Sequence, residues 1–181
     1  MNTYVALFRG INVGGKNILP MKELTAVLEG LGSSNVQTYI QSGNVVFQTT
    51  KRGTQKLGRD IGAAIGASHQ FVPRVLVLSI QDFRNAIASN PFPVGETDPK
   101  SLHLSFLESP PPSPDLAKLA ALQSVNERFK LVGRVFYLHA PDGIGRSRLA
   151  ANVEKALGVA GTARNWRTVN VILSLATKKP S

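Results

Sequence analysis

Four short segments of this chain set cations, glycines and small polar residues side by side, a combination suited to an anionic ligand. The first is Arg9-Gly10-Ile11-Asn12-Val13-Gly14-Gly15-Lys16-Asn17. Gly10, Gly15 and Lys16 have the G-x-x-x-x-G-K spacing of a phosphate-binding P-loop, but Asn17 stands where that loop needs a Ser or Thr hydroxyl for magnesium. The next helix starts late, near Pro20, and no clear strand-ending Asp offers a second magnesium ligand. These departures argue against an NTPase. Two readings remain: exposed backbone N–H groups and Lys16 cradle an anion, or the glycines only shape a turn.

The second segment, Ser42-Gly43-Asn44, is either a plain turn or a pair of polar groups, Ser42 and Asn44, at a sheet edge. The third, Gly143-Ile144-Gly145-Arg146-Ser147-Arg148, leads into a helix expected from Ser147. A glycine loop before a helix N-terminus offers free N–H groups and the positive dipole end to an anion. Arg146 and Arg148 are unfavourable there without one; the competing reading makes Ser147 a simple cap. The fourth, Thr162-Ala163-Arg164-Asn165-Trp166-Arg167, adds a guanidinium suited to phosphate and the chain's one tryptophan, which reads as core.

Other chemistries find few residues. The chain has no cysteine, which excludes disulfides, thiolate metal sites and a cysteine nucleophile. His69, His103 and His139 have no metal-like spacing, and no metal is expected. Asp142 is the sole carboxylate in the candidate loops, too little for acid–base or metal hydrolysis. The net charge of +10 comes from 21 Lys and Arg against only 11 Asp and Glu, without any basic run longer than two residues. That pattern suits single cations placed in loops better than a nucleic-acid coat. The N-terminus lacks a signal-peptide pattern and no apolar run is long enough to span a bilayer, so a cytoplasmic location away from membranes is expected.

The elements that must position these segments come in a repeated order. Tyr4–Phe8 reads as a strand, Met21–Leu31 as a helix, Val36–Ile40 and Val45–Gln48 as a hairpin, Thr54–Ala67 as a helix weakened by Gly58, Gly62 and Gly66, and Phe71–Leu78 as a strand. Ser79-Ile80-Gln81-Asp82 has capping-box spacing and opens a helix to Ala88. A Pro-rich connector occupies residues 90–100. Beyond it Leu102–Leu107 reads as a strand, Pro114–Leu122 as a helix capped by Ser113, Arg128–Val132 and Val135–Leu138 as strands, Ser147–Leu157 as a helix and Gly161–Arg164 as a last strand. Val169–Ala176 fits helix and strand periods equally; helix is chosen because the first half also ends in one. Each half is then β-α-β-β-α-β plus a helix, an α+β protein of two ferredoxin-like lobes, 1–89 and 101–181 with the C-terminal helix.

Arg9–Asn17, Ser42-Gly43-Asn44, Asn90-Pro91-Phe92, Gly143–Ser147 and Thr162–Trp166 together resemble the bacterial domain-of-unknown-function family DUF1697, over about Val5 to Ala176. Phe8 departs from that resemblance, standing where a Leu is expected. The resemblance implies two ferredoxin-like lobes and no particular reaction or cofactor. The residues themselves point to an anionic, phosphorylated or nucleotide-like small ligand held by Arg9, Asn12, Lys16, Asn17, Ser42, Asn44, Arg146, Ser147, Arg164 and Asn165 in one inter-lobe cleft. Arg9 and Arg164 are expected in loops. The alternatives are an enzyme acting on a phosphate ester or nucleotide, and a weak nucleic-acid-binding module using Tyr39, Phe47, Phe136 or Tyr137. Neither the oligomeric state nor the ligand's identity is legible.

Overall fold

The structure, a computed structural model, describes residues 1–178. The chain forms two compact units, one of Met1–Asn85 with the segment from Asn170 onward, the other Ala86–Val169. The sequence reading ended the first lobe at residue 89 and gave the whole last helix to the second. The structural division instead falls inside that helix: the Leu175 carbonyl accepts a hydrogen bond from Gln37 Nε2 of the first unit at 3.4 Å.

In the first unit, β1 (Asn2–Arg9), β2 (Ser34–Tyr39), β3 (Asn44–Thr49) and β4 (Arg74–Ser79) form one antiparallel sheet in the order β2-β3-β1-β4. This is the expected ferredoxin-like arrangement. Helices α1 (Met21–Gly30) and α2 (Thr54–Ser68) cover one face. Tyr4, Ala6 and Phe8 alternate along β1 and pack with Val45, Phe47 and Val77 beneath Leu24, Leu28, Leu57 and Ile61. The glycines of α2 have a packing role as well as a helix-weakening one. A Cβ at Gly58 would lie 2.5 Å from the Val75 carbonyl oxygen, so only glycine lets α2 ride this close to β4. Helix α3 (Ile80–Ala88) opens on Ser79 as its cap, the hydroxyl accepting from the Asp82 amide at 3.0 Å, half of the expected capping box, and donating to Asp82 Oδ2 at 2.7 Å.

In the second unit, β5 (Leu102–Leu107), β6 (Arg128–Val132), β7 (Val135–His139) and β8 (Gly161–Asn165) repeat the order as β6-β7-β5-β8. Its helices differ from expectation at two points. Helix α4 is Leu116–Leu122, capped not by Ser113 but by Asp115, whose Oδ1 accepts from the Lys118 amide at 2.9 Å. The helix expected over Ser147–Leu157 starts later, at Ala150, and opens as a 3-10 turn that runs directly into α5 (Val153–Leu157). Ile144–Arg146 and Ala150–Asn152 are single 3-10 turns, and α5 is stopped by Gly158 in the left-handed region. Leu149, Val153 and Leu157 keep their one-turn spacing and are all buried, so the pattern is satisfied although only the last five residues are α-helical. The ambiguous last segment is helix α6 (Trp166–Thr177), with Val169 and Ile172 fully buried. Among the described residues no helix is long and apolar enough to cross a membrane.

Candidate functional site

Register brings the first lobe's two motifs to one sheet edge. Leu7 pairs with Asn44, and the Phe8 amide donates to the Gly43 carbonyl at 2.9 Å, so the loop leaving β1 lies against the β2–β3 turn. Gly43 has φ +74°, and a Cβ there would lie 2.6 Å from both Ile11 Cδ1 and Phe8 Cβ, which fixes this residue as glycine. Asn12 ties loop to turn. Its Nδ2 donates to the carbonyls of Gln41 (2.8 Å) and Leu19 (2.9 Å), while its Oδ1 accepts from the Leu19 amide at 2.8 Å. Asn17 Nδ2 closes the loop base on the Gly10 carbonyl at 2.8 Å. Both asparagines hold positive φ, 54° and 51°, where asparagine is among the best tolerated side chains. Asn12, Asn17 and Asn44, which is buried with Nδ2 on the Tyr39 carbonyl and Ser42 Oγ, therefore use these polar groups to build the edge.

What the edge displays is cationic and apolar. Arg9 and Lys16 are exposed. Arg9 is the last residue of β1 rather than a loop residue, and its register partner is Arg74, the exposed first residue of β4. The sequence reading missed Arg74 because the pairing is a property of register; counting back along the antiparallel β1–β4 match was the signal that could have found it. Val13, which bridges to Lys16, and Ile18 and Ile40 of the same loop and turn are 63, 56 and 50 % exposed. Ile40 also holds φ +51°, a strained value for a β-branched side chain, at the turn the loop grips.

In the second lobe, Leu102 pairs with His139 and His103 with Asn165, so the ends of β7 and β8 share one edge. Arg146 is exposed there in a 3-10 turn. The expected helix N-terminus at Ser147 is not built: Ser147 is buried, and its Oγ accepts from the Ala150 amide at 2.9 Å, six residues before α5 starts. The dipole argument for an anion at Gly143–Ser147 therefore fails. Arg164 lies within β8, not in a loop; it is half-buried, and burial pushes its guanidinium down to about 10. Asn165 Oδ1 accepts from the Thr168 amide at 2.9 Å at the start of α6, and Trp166 is core, 7 % exposed. Asp142 accepts from Asn126 Nδ2 at 3.1 Å. Among the described residues no three His, Asp or Glu side chains gather as metal ligands.

Two β-α-β-β-α-β lobes, one presenting a braced, cation-bearing loop at its sheet edge, define a duplicated ferredoxin-like α+β protein. The family model of DUF1697, described as a protein of unknown function, matches residues 1–137, and the chain belongs to that family. No curated protein matches it. The chain is similar in fold to the conserved bacterial protein SP0830 from Streptococcus pneumoniae, with a TM-score of 0.73 and 24% identity over 97% of this chain and 99% of that one.

Proposed function

We propose that this protein binds an anionic, phosphorylated or nucleotide-like small molecule, with the first lobe's edge as the primary contact. The observation carrying this reading is the register of Arg9 against Arg74 where the Lys16 loop begins. Residues 9–20, 40–44 and 70–74, which build that edge, contain no Asp or Glu. A phosphate contributes charge-assisted hydrogen bonds to guanidinium and ammonium groups, and Val13, Ile18 and Ile40 offer apolar surface for a base or sugar beside it. Binding is favoured over hydrolysis because the one loop carboxylate, Asp142, already serves Asn126.

The test is calorimetric titration and thermal shift with ADP, pyrophosphate and adenosine. ADP at 100 times its dissociation constant stabilises the fold by about 2.7 kcal/mol. Arg9→Ala and Lys16→Ala each weaken ADP by roughly ten- to hundredfold, the value of a charged hydrogen bond, with little change in Tm. Unaltered ADP binding in Arg9→Ala, or adenosine binding as well as ADP, refutes the reading. A tight oligonucleotide complex that persists at high salt replaces it with nucleic-acid binding.

A further inference from the structure

The covered face of the second sheet is less completely filled than that of the first. In the first lobe the second helix has fifteen residues and three glycines, and lies directly on β4. Its counterpart α5 has five residues. Strand β8 beneath it carries Gly161 and Ala163. The result is a cavity of about 220 Å³ within the second unit. Its floor is Ser105, Phe136 and Leu138, and its walls include Ala151 and Val153.

One polar atom in this pocket, which opens to solvent at Ala151, Glu154 and Ala163, is unexplained by the fold. His103 also lines the cavity, and its Nε2 is buried with no hydrogen-bond partner among the described residues. Its ring has a hydrogen bond with the Lys100 backbone that favours the charged imidazole, as only donation to a carbonyl does. Since Nε2 is unpartnered, that donor is Nδ1, and the second nitrogen of the neutral ring is a bare acceptor. Burial nevertheless holds the His103 pKa below its ordinary value, so the ring is neutral at pH 7. An acceptor left buried and unmatched destabilises the fold, and a donor that reaches it removes that penalty.

We propose that this cavity is a binding site for a small, uncharged aromatic or heteroaromatic molecule that donates an N–H or O–H hydrogen bond to His103 Nε2. The size is sufficient for one or two rings, since an apolar cavity of ~150 Å³ already takes benzene. The Glu154 carboxylate on the wall disfavours anions, which separates this ligand from the one proposed for the first lobe's edge. The two proposals share no residue and stand independently.

Indole and benzofuran test this, because they have nearly the same shape and differ in the N–H donor. Saturation-transfer NMR on the full chain gives both affinities, and the imidazole ¹⁵N shift of His103 reports the bond directly. Indole binds the wild type about tenfold tighter than benzofuran and moves the Nε2 resonance. His103→Leu removes the preference while benzofuran still binds. Ala163→Leu and Ala151→Leu fill the cavity from opposite sides and abolish both ligands; either variant suffices if the other fails to fold. Equal affinities in the wild type, an unmoved Nε2 resonance, no binding of either probe at millimolar concentration, or undiminished binding in a folded filled variant overturns the proposal.

Discussion

Replacing Asn12 by glycine tests whether the first-lobe loop is braced as its hydrogen bonds indicate. Glycine accepts φ of 54° without strain, so the substitution isolates the side chain. It removes three hydrogen bonds, two with Leu19 and one with Gln41. Asn17→Gly is the matched control, with φ 51° and a single bond to Gly10. Each net bond contributes about 0.5–1.5 kcal/mol. The shared backbone change cancels between the two variants, leaving a difference of two bonds. Because the Leu19 bonds are part-buried, that difference is about 1.5 kcal/mol. For a protein of this size it corresponds to about 3–6 °C in Tm. Scanning calorimetry reads the difference, and hydrogen exchange at the Leu19 amide reads its location. Equal destabilisation by the two substitutions, or unchanged protection of Leu19 in Asn12→Gly, refutes the bracing argument.

Gly43→Ala and Gly14→Ala both put a side chain at positive φ, but only Gly43 has neighbours within 4 Å. Urea denaturation is expected to show about 1–2 kcal/mol lost for Gly14→Ala and a further ~1–3 kcal/mol for Gly43→Ala from overpacking. His103 gives a pH signature. Its folded-state pKa lies below the unfolded value of 6.5, so the unfolded chain binds more protons as pH falls below 6.5. The stability contributed by the neutral ring is present above 6.5 and is lost as pH falls through the folded-state pKa. The wild-type denaturation midpoint therefore drops between pH 7.5 and 5.5 by more than that of His103→Leu; parallel pH profiles refute this.

Strand order was legible because each strand carries its own apolar run and turn residues, and the β-α-β-β-α-β order admits few sheets. The ends of elements were less so. Leu149, Val153 and Leu157 satisfy a helical period whether or not the intervening backbone is helical, and Ser113 lost the capping role to Asp115 two residues on. At the candidate site, residue type was informative and role was not. Arg9 and Lys16 are displayed, whereas Asn12, Asn17 and Asn44 turn their amides inward onto carbonyls that no sequence pattern reveals. The period-two alternation of Leu102, Leu104 and Phe106 already put His103 and Ser105 on the opposite face. That this face holds a cavity depends on the shortness of α5, which the same periodicity concealed.

The division of the chain has a consequence for its biogenesis. The first sheet is fully encoded by Ser79, but the segment from Asn170 onward belongs to the same compact unit. During vectorial synthesis, β1 to β4 leave the ribosome while Leu175, the partner of Gln37 across 138 residues, is still untranslated. The second unit, Ala86–Val169, is in effect spliced into the first and is available to fold ahead of the first unit's completion. If it does, it shortens the span that must close from a long free coil to two brief tethers, lowering the entropy lost at closure.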